Sequence, residues 1–198
     1  ISIIFTLINY FLIVVFVLIF HALFSYSFLL ITLAKVNPLF FFTNMREAIL
    51  FAFSTSSSSA TMPVTLKTVE EKLGVDKSVS SFCIPLGTTI NMDGTAIMQG
   101  VATVFIAQVY QVDLSMMEYL MVIITATLAS IGTAGVPGVG LIMLAMVLQQ
   151  VGLPVEGIAL IIGVDRLLDM LRTAVNVSGD ATISCIVANS ENQLTRKI

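Results

Sequence analysis

DRLLDMLRTAVNVSGD, residues 165–180, sets the terms on which the rest of the chain is read. Placed on a helix at about 100° per residue with Asp169 at zero, Asp165 falls near −40°, Arg172 near −60°, Thr173 near 40°, Asn176 near −20° and Asp180 near 20°. Six polar groups therefore share an arc of roughly 100°, while Leu, Ile, Met, Ala and Val fill much of the remainder. A central Asp or Arg in a membrane helix costs about 2.5–3.5 kcal/mol, so four such charges cost on the order of 10 kcal/mol unless compensated. A structural ladder explains Asp169 with Arg172, three residues apart, but on sequence grounds leaves Asp180 and Asn176 without partners. The stripe reads as a binding surface.

The surroundings of this helix are those of a membrane protein. Of 198 residues, 57% are apolar and 11% charged, with mean hydropathy +1.01, where a soluble domain carries about 25% charged residues. The net charge of −3 argues against a nucleic-acid surface, which needs clustered Lys and Arg. Cys83 and Cys185 have neither metal-ligand spacing nor the density of a disulfide scaffold. The sole histidine, His21, lies in an apolar run and reads as a packed or interfacial residue. Ser57 has no base in view, so an enzyme is not expected. No cleavable signal is visible. The chain opens inside a hydrophobic segment without Met, and the expectation is a piece of a longer protein.

Working outward from residue 165, residues 119–155 carry no charge, yet Gly132, Gly135, Pro137, Gly138 and Gly140 interrupt their centre. Each apolar half has about 13 residues, short of the ~20 that span a bilayer, which predicts a hairpin. Residues 79–112 form a span whose one charge is Asp93, within TTINMDGT (88–95). Residues 66–78 are a charged loop. Before it, Ala48–Phe53 run into Ser54-Thr55-Ser56-Ser57-Ser58-Ser59 and Ala60-Thr61-Met62-Pro63. Such a polar run does not face lipid, and a re-entrant hairpin with a buried tip fits the membrane-like flanks better than a linker. Residues 1–34 give roughly 50 Å of helix, more than the ~30 Å hydrocarbon core, and Lys35, Asn37 and Pro38 end it. The resulting topology places Lys35, Arg46, Lys67, Lys72, Lys77, Arg196 and Lys197 on one face, as the positive-inside rule requires of the cytoplasm.

The chemistry of the stripe suggests a ligand. Arg172 is a planar fork suited to a carboxylate, Asp169 suits an ammonium, and Asp180 is a hard-oxygen ligand for a small cation. An amino acid with an acidic side chain, bound beside a metal ion, matches all three. Half-helices starting at the hairpin tips, Ser56, Ser57 and Ser58 at one and Val136, Pro137, Gly138, Val139 and Gly140 at the other, would aim N–H groups at its α-carboxylate. The Asn91-Met92-Asp93 break would free carbonyls for cations.

TSSSSATMP (55–63), PLGTTINMDGT (85–95), SIGTAGVPG (130–138) and DRLLDMLRTAVNVSGD (165–180) together resemble the four signature regions of the dicarboxylate/amino acid:cation symporter family, the glutamate transporters. Interrupted helices at the binding site are an established feature of that family, so this part of the expectation comes with the resemblance. The resemblance implies an all-α membrane protein of transmembrane helices plus two re-entrant helical hairpins and a broken helix. It assigns 1–36 to the sixth span, 44–73 to the first hairpin, 79–112 to the broken seventh span, 118–153 to the second hairpin, 156–188 to the eighth span and 189–198 to a cytoplasmic tail. Earlier scaffold spans, through which members form homotrimers in the plasma membrane, are missing.

The resemblance further implies that Arg172 holds the substrate's side-chain carboxylate and Asp169 its amino group. Asn176, Thr173, Thr95, the Ser56–Ser58 tip and the Val136–Gly140 tip complete the pocket. Co-transported Na+ ions would occupy three sites: Asp180 with the backbone of Gly87, Asn91 and Asn176; the backbone of Thr89, Ser130, Ile131 and Thr133; and Asn91 with Asp93. No organic cofactor is implied. The expected function is sodium-coupled symport of glutamate or aspartate by an elevator movement, with cystine, neutral amino acid or C4-dicarboxylate carriers, or an anion conductance, as alternatives. Three positions depart from the family pattern. Archaeal members carry an arginine where this chain has Ser56, and animal members carry one where it has Met170, with Arg166 a turn upstream here. Animal glutamate carriers have a glutamate at Gln99, so coupling to protons and potassium is not expected. The 198 residues alone are not expected to transport.

Overall fold

The computed structural model describes residues 2–195, with side chains from Phe5 onward; Arg196 and Lys197, placed by charge on the cytoplasmic face, lie outside the described residues. Among the described residues the regular structure is helical, apart from one isolated bridge between Val75 and Leu194. The first rod is not a uniform α-helix. Helix α1 (Ser2–Phe20) passes into a π-helical turn (His21–Tyr26), three α-helical residues (α2, Ser27–Leu29) and a second π-helical turn (Leu30–Ala34). Lys35, in the left-handed region at φ 55°, ends the rod.

Asn37 then caps helix α3 (Pro38–Thr55), accepting the Leu39 N–H at 2.9 Å, and Pro38 takes the first position, where no donor is needed. The leading arm of the first hairpin thus starts ahead of residue 44, because one Asn-Pro pair closes one helix and opens the next. At its tip Ser56 adopts φ 50° and Ser57 caps α4 (Ser58–Thr68), which runs through Pro63 into a π-helical turn at Val69–Leu73. Helix α5 (Lys77–Ile90) is capped by Asp76 and stops at Asn91 and Met92, whose backbone is non-helical. Helix α6 (Asp93–Val109) follows. Helix α7 (Met116–Ile131), opened by a Ser115–Glu118 capping box, and α8 (Val139–Gln150) are the arms of the second hairpin, and α9 (Ile158–Ser190) closes the chain.

Helix α9, 33 residues long, is the axis against which α1, α3, α4, α5, α6 and α8 all pack. It gives Ile161, Leu168 and Val175 to an apolar core shared with α1, α6, α7 and α8. Val177, Ala181, Cys185 and Ala188 go to a second core, shared with α3, α5 and the Val69–Leu73 turn. Its polar stripe runs past the junction of the two. The segment after α9 folds back: Asp76 donates its N–H to Gln193 and Thr195 donates its own to Gly74, with Leu194 buried. Asn189 reaches the Leu33 carbonyl at 2.8 Å. The end of the first rod, the base of the first hairpin, the start of α5 and the end of α9 therefore share one end of the bundle. By length and composition, among the described residues, Phe5–Ala34 is the one helical segment long and apolar enough to cross a membrane.

Candidate functional site

Asp165, Asp169, Arg172, Thr173, Asn176 and Asp180 are all buried. Arg172, 1% exposed, is held between two acids of its own helix: Nη1 donates to Asp165 at 2.6 Å and Nη2 to Asp169 at 2.7 Å. Among the described residues its Nε–H has no partner, leaving one donor of a buried guanidinium unspent. Asp165, given no role from sequence, is the second arm of this clamp. Seven residues is two helical turns, so it lies on the Arg172 face, and the long arginine stem reaches back to it.

Both hairpin tips meet here. The Ser57 hydroxyl donates to the Gly135 carbonyl at 2.7 Å and the Ser59 N–H to the same oxygen at 3.1 Å. The Gly138 N–H, at the mouth of α8, donates to Asp169 at 3.0 Å, as a helix N-terminus does toward a carboxylate. Ser56, Ser58, Thr95, Val136, Gly140, Asp169, Thr173 and Asn176 line one small cavity of about 10 Å³, with Met92 and Thr133–Gly135, room for roughly one water. The Ser56 hydroxyl is buried there without a partner among the described residues. Pro137 and Gly138 line a different, open groove of about 610 Å³ between α8 and α9, with Asp165, Arg166 and Asp169 at its polar edge. Val139 opens α8.

The residues assigned to cations divide. Asn91 donates to Asp180 at 2.9 Å, and Gly87 has no room for a Cβ against the same carboxylate. Asn176 Oδ1 takes the Gly94 N–H at 2.7 Å, a group that in an unbroken helix would bond to Ile90. Asp180 and Asn176 thus do have partners, on the broken helix, which corrects the expectation from the stripe alone. Thr89, Ser130 and Thr133 spend their hydroxyls on carbonyls of their own helices, of Leu86, Thr127 and Ala129. That set therefore offers a cation backbone carbonyls and the lone pairs of hydroxyl oxygens whose protons point away. Asp93 accepts from His21 at 3.2 Å and from Tyr26 at 2.9 Å. His21 is therefore a polar partner rather than mere packing. Among the described residues no group of three or more His, Cys, Asp or Glu gathers as for a transition metal; carbonyls, amides and single carboxylates suit a hard cation.

Residues 1–190 match the model of the sodium:dicarboxylate symporter family. The chain belongs to this family. It is 46% identical over 191 residues, 96% of its length, to a putative sodium-dependent excitatory amino acid transporter, glt-4, of Caenorhabditis elegans. It is 52% identical over 161 residues, 81% of its length, to excitatory amino acid transporter 3 of Mus musculus. It is 47% identical over 170 residues, 86% of its length, to excitatory amino acid transporter 1 of Rattus norvegicus. These matches cover 38%, 31% and 31% of the relatives, so the chain spans about a third of the length of the proteins it matches.

Within this family member, Tyr26 is a polar partner that the sequence reading left out, and His21 is one that it took as packed or interfacial. The signal was diluted, because the same apolar run also carries Thr6, Asn9, Tyr10, Ser25, Ser27 and Thr32. A period of 3.6 sets His21 and Tyr26 on different faces, and only the π-helical turn brings them together.

Proposed function

We propose that this chain is the substrate- and cation-binding part of a sodium-coupled symporter for an acidic amino acid, glutamate or aspartate, in the plasma membrane. The observation that carries this reading is the charge balance of the site. Asp165 and Asp169 share the one buried guanidinium, that of Arg172, while two further carboxylates, of Asp93 and Asp180, are bonded to His21, Tyr26 and Asn91. Carboxylates in excess inside a low-dielectric bundle draw in cations, and sodium ions and a substrate ammonium supply them.

The Arg172–Asp169 pair is also a template for the ligand. An amino acid carrying a side-chain carboxylate exchanges into it, its carboxylate replacing Asp169 on Arg172 and its ammonium replacing the Gly138 N–H on Asp169. The exchange leaves Arg172 and Asp169 each facing an opposite charge, and the ligand's α-carboxylate falls to the N–H groups of the hairpin tips. The Arg172 Nε–H and Ser56 hydroxyl then gain acceptors. A cavity of about 10 Å³ does not admit such a ligand with the α7–α8 tip in place, so that tip is the gate. The two interrupted hairpins are re-entrant in the bilayer, residues 1–36 and 156–188 span it, and 79–112 span it with a break. The intact protein, a trimer through scaffold spans, carries the site across by an elevator movement.

The test is uptake of radiolabelled aspartate and glutamate by the intact protein in liposomes, with and without a sodium gradient, for wild type and Arg172→Ala. Sodium-dependent acidic uptake that Arg172→Ala abolishes supports the reading. Uptake without sodium dependence, or unchanged in the variant, removes it.

A further inference from the structure

The cluster around Asp93 holds more than a cation ligand requires. His21 Nε2–H and Tyr26 O–H donate to the same carboxylate oxygen, Oδ2, at 3.2 and 2.9 Å. Two donors on one oxygen fix the plane of the carboxyl group and leave Oδ1 to face elsewhere, and the Asp93 side chain stays 35% exposed. The donors are five residues apart. On an α-helix they would diverge by about 140°, but His21–Tyr26 is a π-helical turn, whose i→i+5 bonding brings such a pair to one face.

Tyr26 has a second acceptor. Its hydroxyl lies 3.2 Å from the carbonyl of Val175 on α9, and a tyrosine has one proton to give. The proton is therefore shared between the cation ligand Asp93 and the backbone beside Asn176, which lines the substrate cavity. The hydroxyl occupies a notch kept open by Gly179, where a Cβ would stand 2.7 Å from it and 2.8 Å from the Asn91 amide nitrogen.

We infer that Tyr26 and His21 are positioning residues that aim Asp93 at a cation, and that the shared Tyr26 proton couples that cation to Asn176 in the substrate pocket. The inference rests on Asp93 being a sodium ligand. With sodium on Asp93, the carboxylate has less need of the Tyr26 proton, which shifts toward the Val175 carbonyl and stiffens the backbone that carries Asn176. Without sodium the proton returns to Asp93 and that carbonyl loses the Tyr26 donor, keeping the one its own helix supplies. One hydrogen with two acceptors is the two-state element that coupling between sites requires.

The experiment uses the intact protein in detergent. The sodium midpoint is read from thermal stabilisation by sodium alone, and aspartate affinity from calorimetry across a range of sodium concentrations. Tyr26→Phe raises the sodium midpoint about tenfold, the lower end for losing an outer-shell hydrogen bond. It flattens the dependence of aspartate affinity on sodium, yet at saturating sodium leaves that affinity within about twofold. His21→Gln, which keeps a donor, stays near wild type. In an Asp93→Asn background, Tyr26→Phe shifts the midpoint by less than about twofold, because its effect runs through the carboxylate. A wild-type sodium midpoint in Tyr26→Phe, or an equal shift with and without the Asp93 carboxylate, overturns the inference alone. An unchanged midpoint in Asp93→Asn removes the cation reading of Asp93 and the inference with it.

Discussion

Ser57 and Gly135, 78 residues apart in the chain, join the tips of the two hairpins through a 2.7 Å hydrogen bond from hydroxyl to carbonyl. The approach is close enough that a side chain on Gly135 would have to push its neighbours aside. A Cβ there would lie 2.9 Å from Ser59 Oγ, 3.1 Å from the Thr88 carbonyl oxygen and 3.2 Å from the Ser59 nitrogen. Two of these atoms are backbone and cannot swing aside.

Gly135→Ala therefore parts the tips. A cysteine placed at Val136 in that background is expected to react several-fold faster with a polar thiol reagent than in the unaltered tip. Ser57→Ala, which removes one hydrogen bond worth about 0.5–1.5 kcal/mol, is expected to give a smaller change in the same direction. Equal reaction rates in all three would show that this contact does not hold the gate.

Asp165→Asn tests the clamp on Arg172. Removing one charge from a buried ion pair costs about 3–5 kcal/mol where the partner is left alone, and Arg172 keeps Asp169. The expectation is the lower part of that range, read as a fall in melting temperature of the intact protein. A substrate affinity weakened about tenfold should accompany it, since a fork held at one end is less well aimed.

Sodium removal should be legible without transport. A ligand at a hundred times its dissociation constant stabilises the folded state by about 2.7 kcal/mol. Replacing sodium by a bulky organic cation should lower the melting temperature of wild type. The same exchange should move Asp180→Asn much less, because Asn cannot supply the charge that draws the ion into the Asn91–Gly87 corner.

At the end of the bundle that carries residues 189–195, acid should loosen the segment docked on the α5 cap. Ser78, through its hydroxyl and then its N–H, holds the exposed Asp76 carboxyl below its ordinary value of 3.8. A depressed folded value means that the contribution is present above the ordinary value and is lost as pH falls through the lowered one. The Ser78 hydroxyl also reaches Gln193 at 3.1 Å. Limited proteolysis near residues 189–195 should therefore accelerate as pH drops below about 4, and Asp76→Ala should show the fast rate at neutral pH.

What could be read from the chain, and what could not, follows from the range of each interaction. The face shared by Asp165, Asp169, Arg172 and Asp180 is set by one helical period and by the cost of charge in an apolar run, both properties of the sequence itself. The Ser-rich and Gly-rich interruptions are equally local. The pairing of Asp180 with Asn91 and of Asn176 with Gly94 is not local, because it depends on how a broken helix lies across α9. His21 and Tyr26 were hidden for a different reason: a single π-helical turn rotates one part of a rod against the next, and a uniform angle per residue cannot register it. The return of Leu194 to Val75 left no mark in a polar terminal stretch.

That return gives the two hairpins unequal footing. The first is tied at its base on several sides, by Lys72 to Glu47 at 2.7 Å, by Thr195 to Gly74 and by the buried Val75–Leu194 contact. The second stands mainly on apolar packing against α6 and within itself. Two arms alike in outline are thus unequally anchored, and heating is expected to free the second before the first.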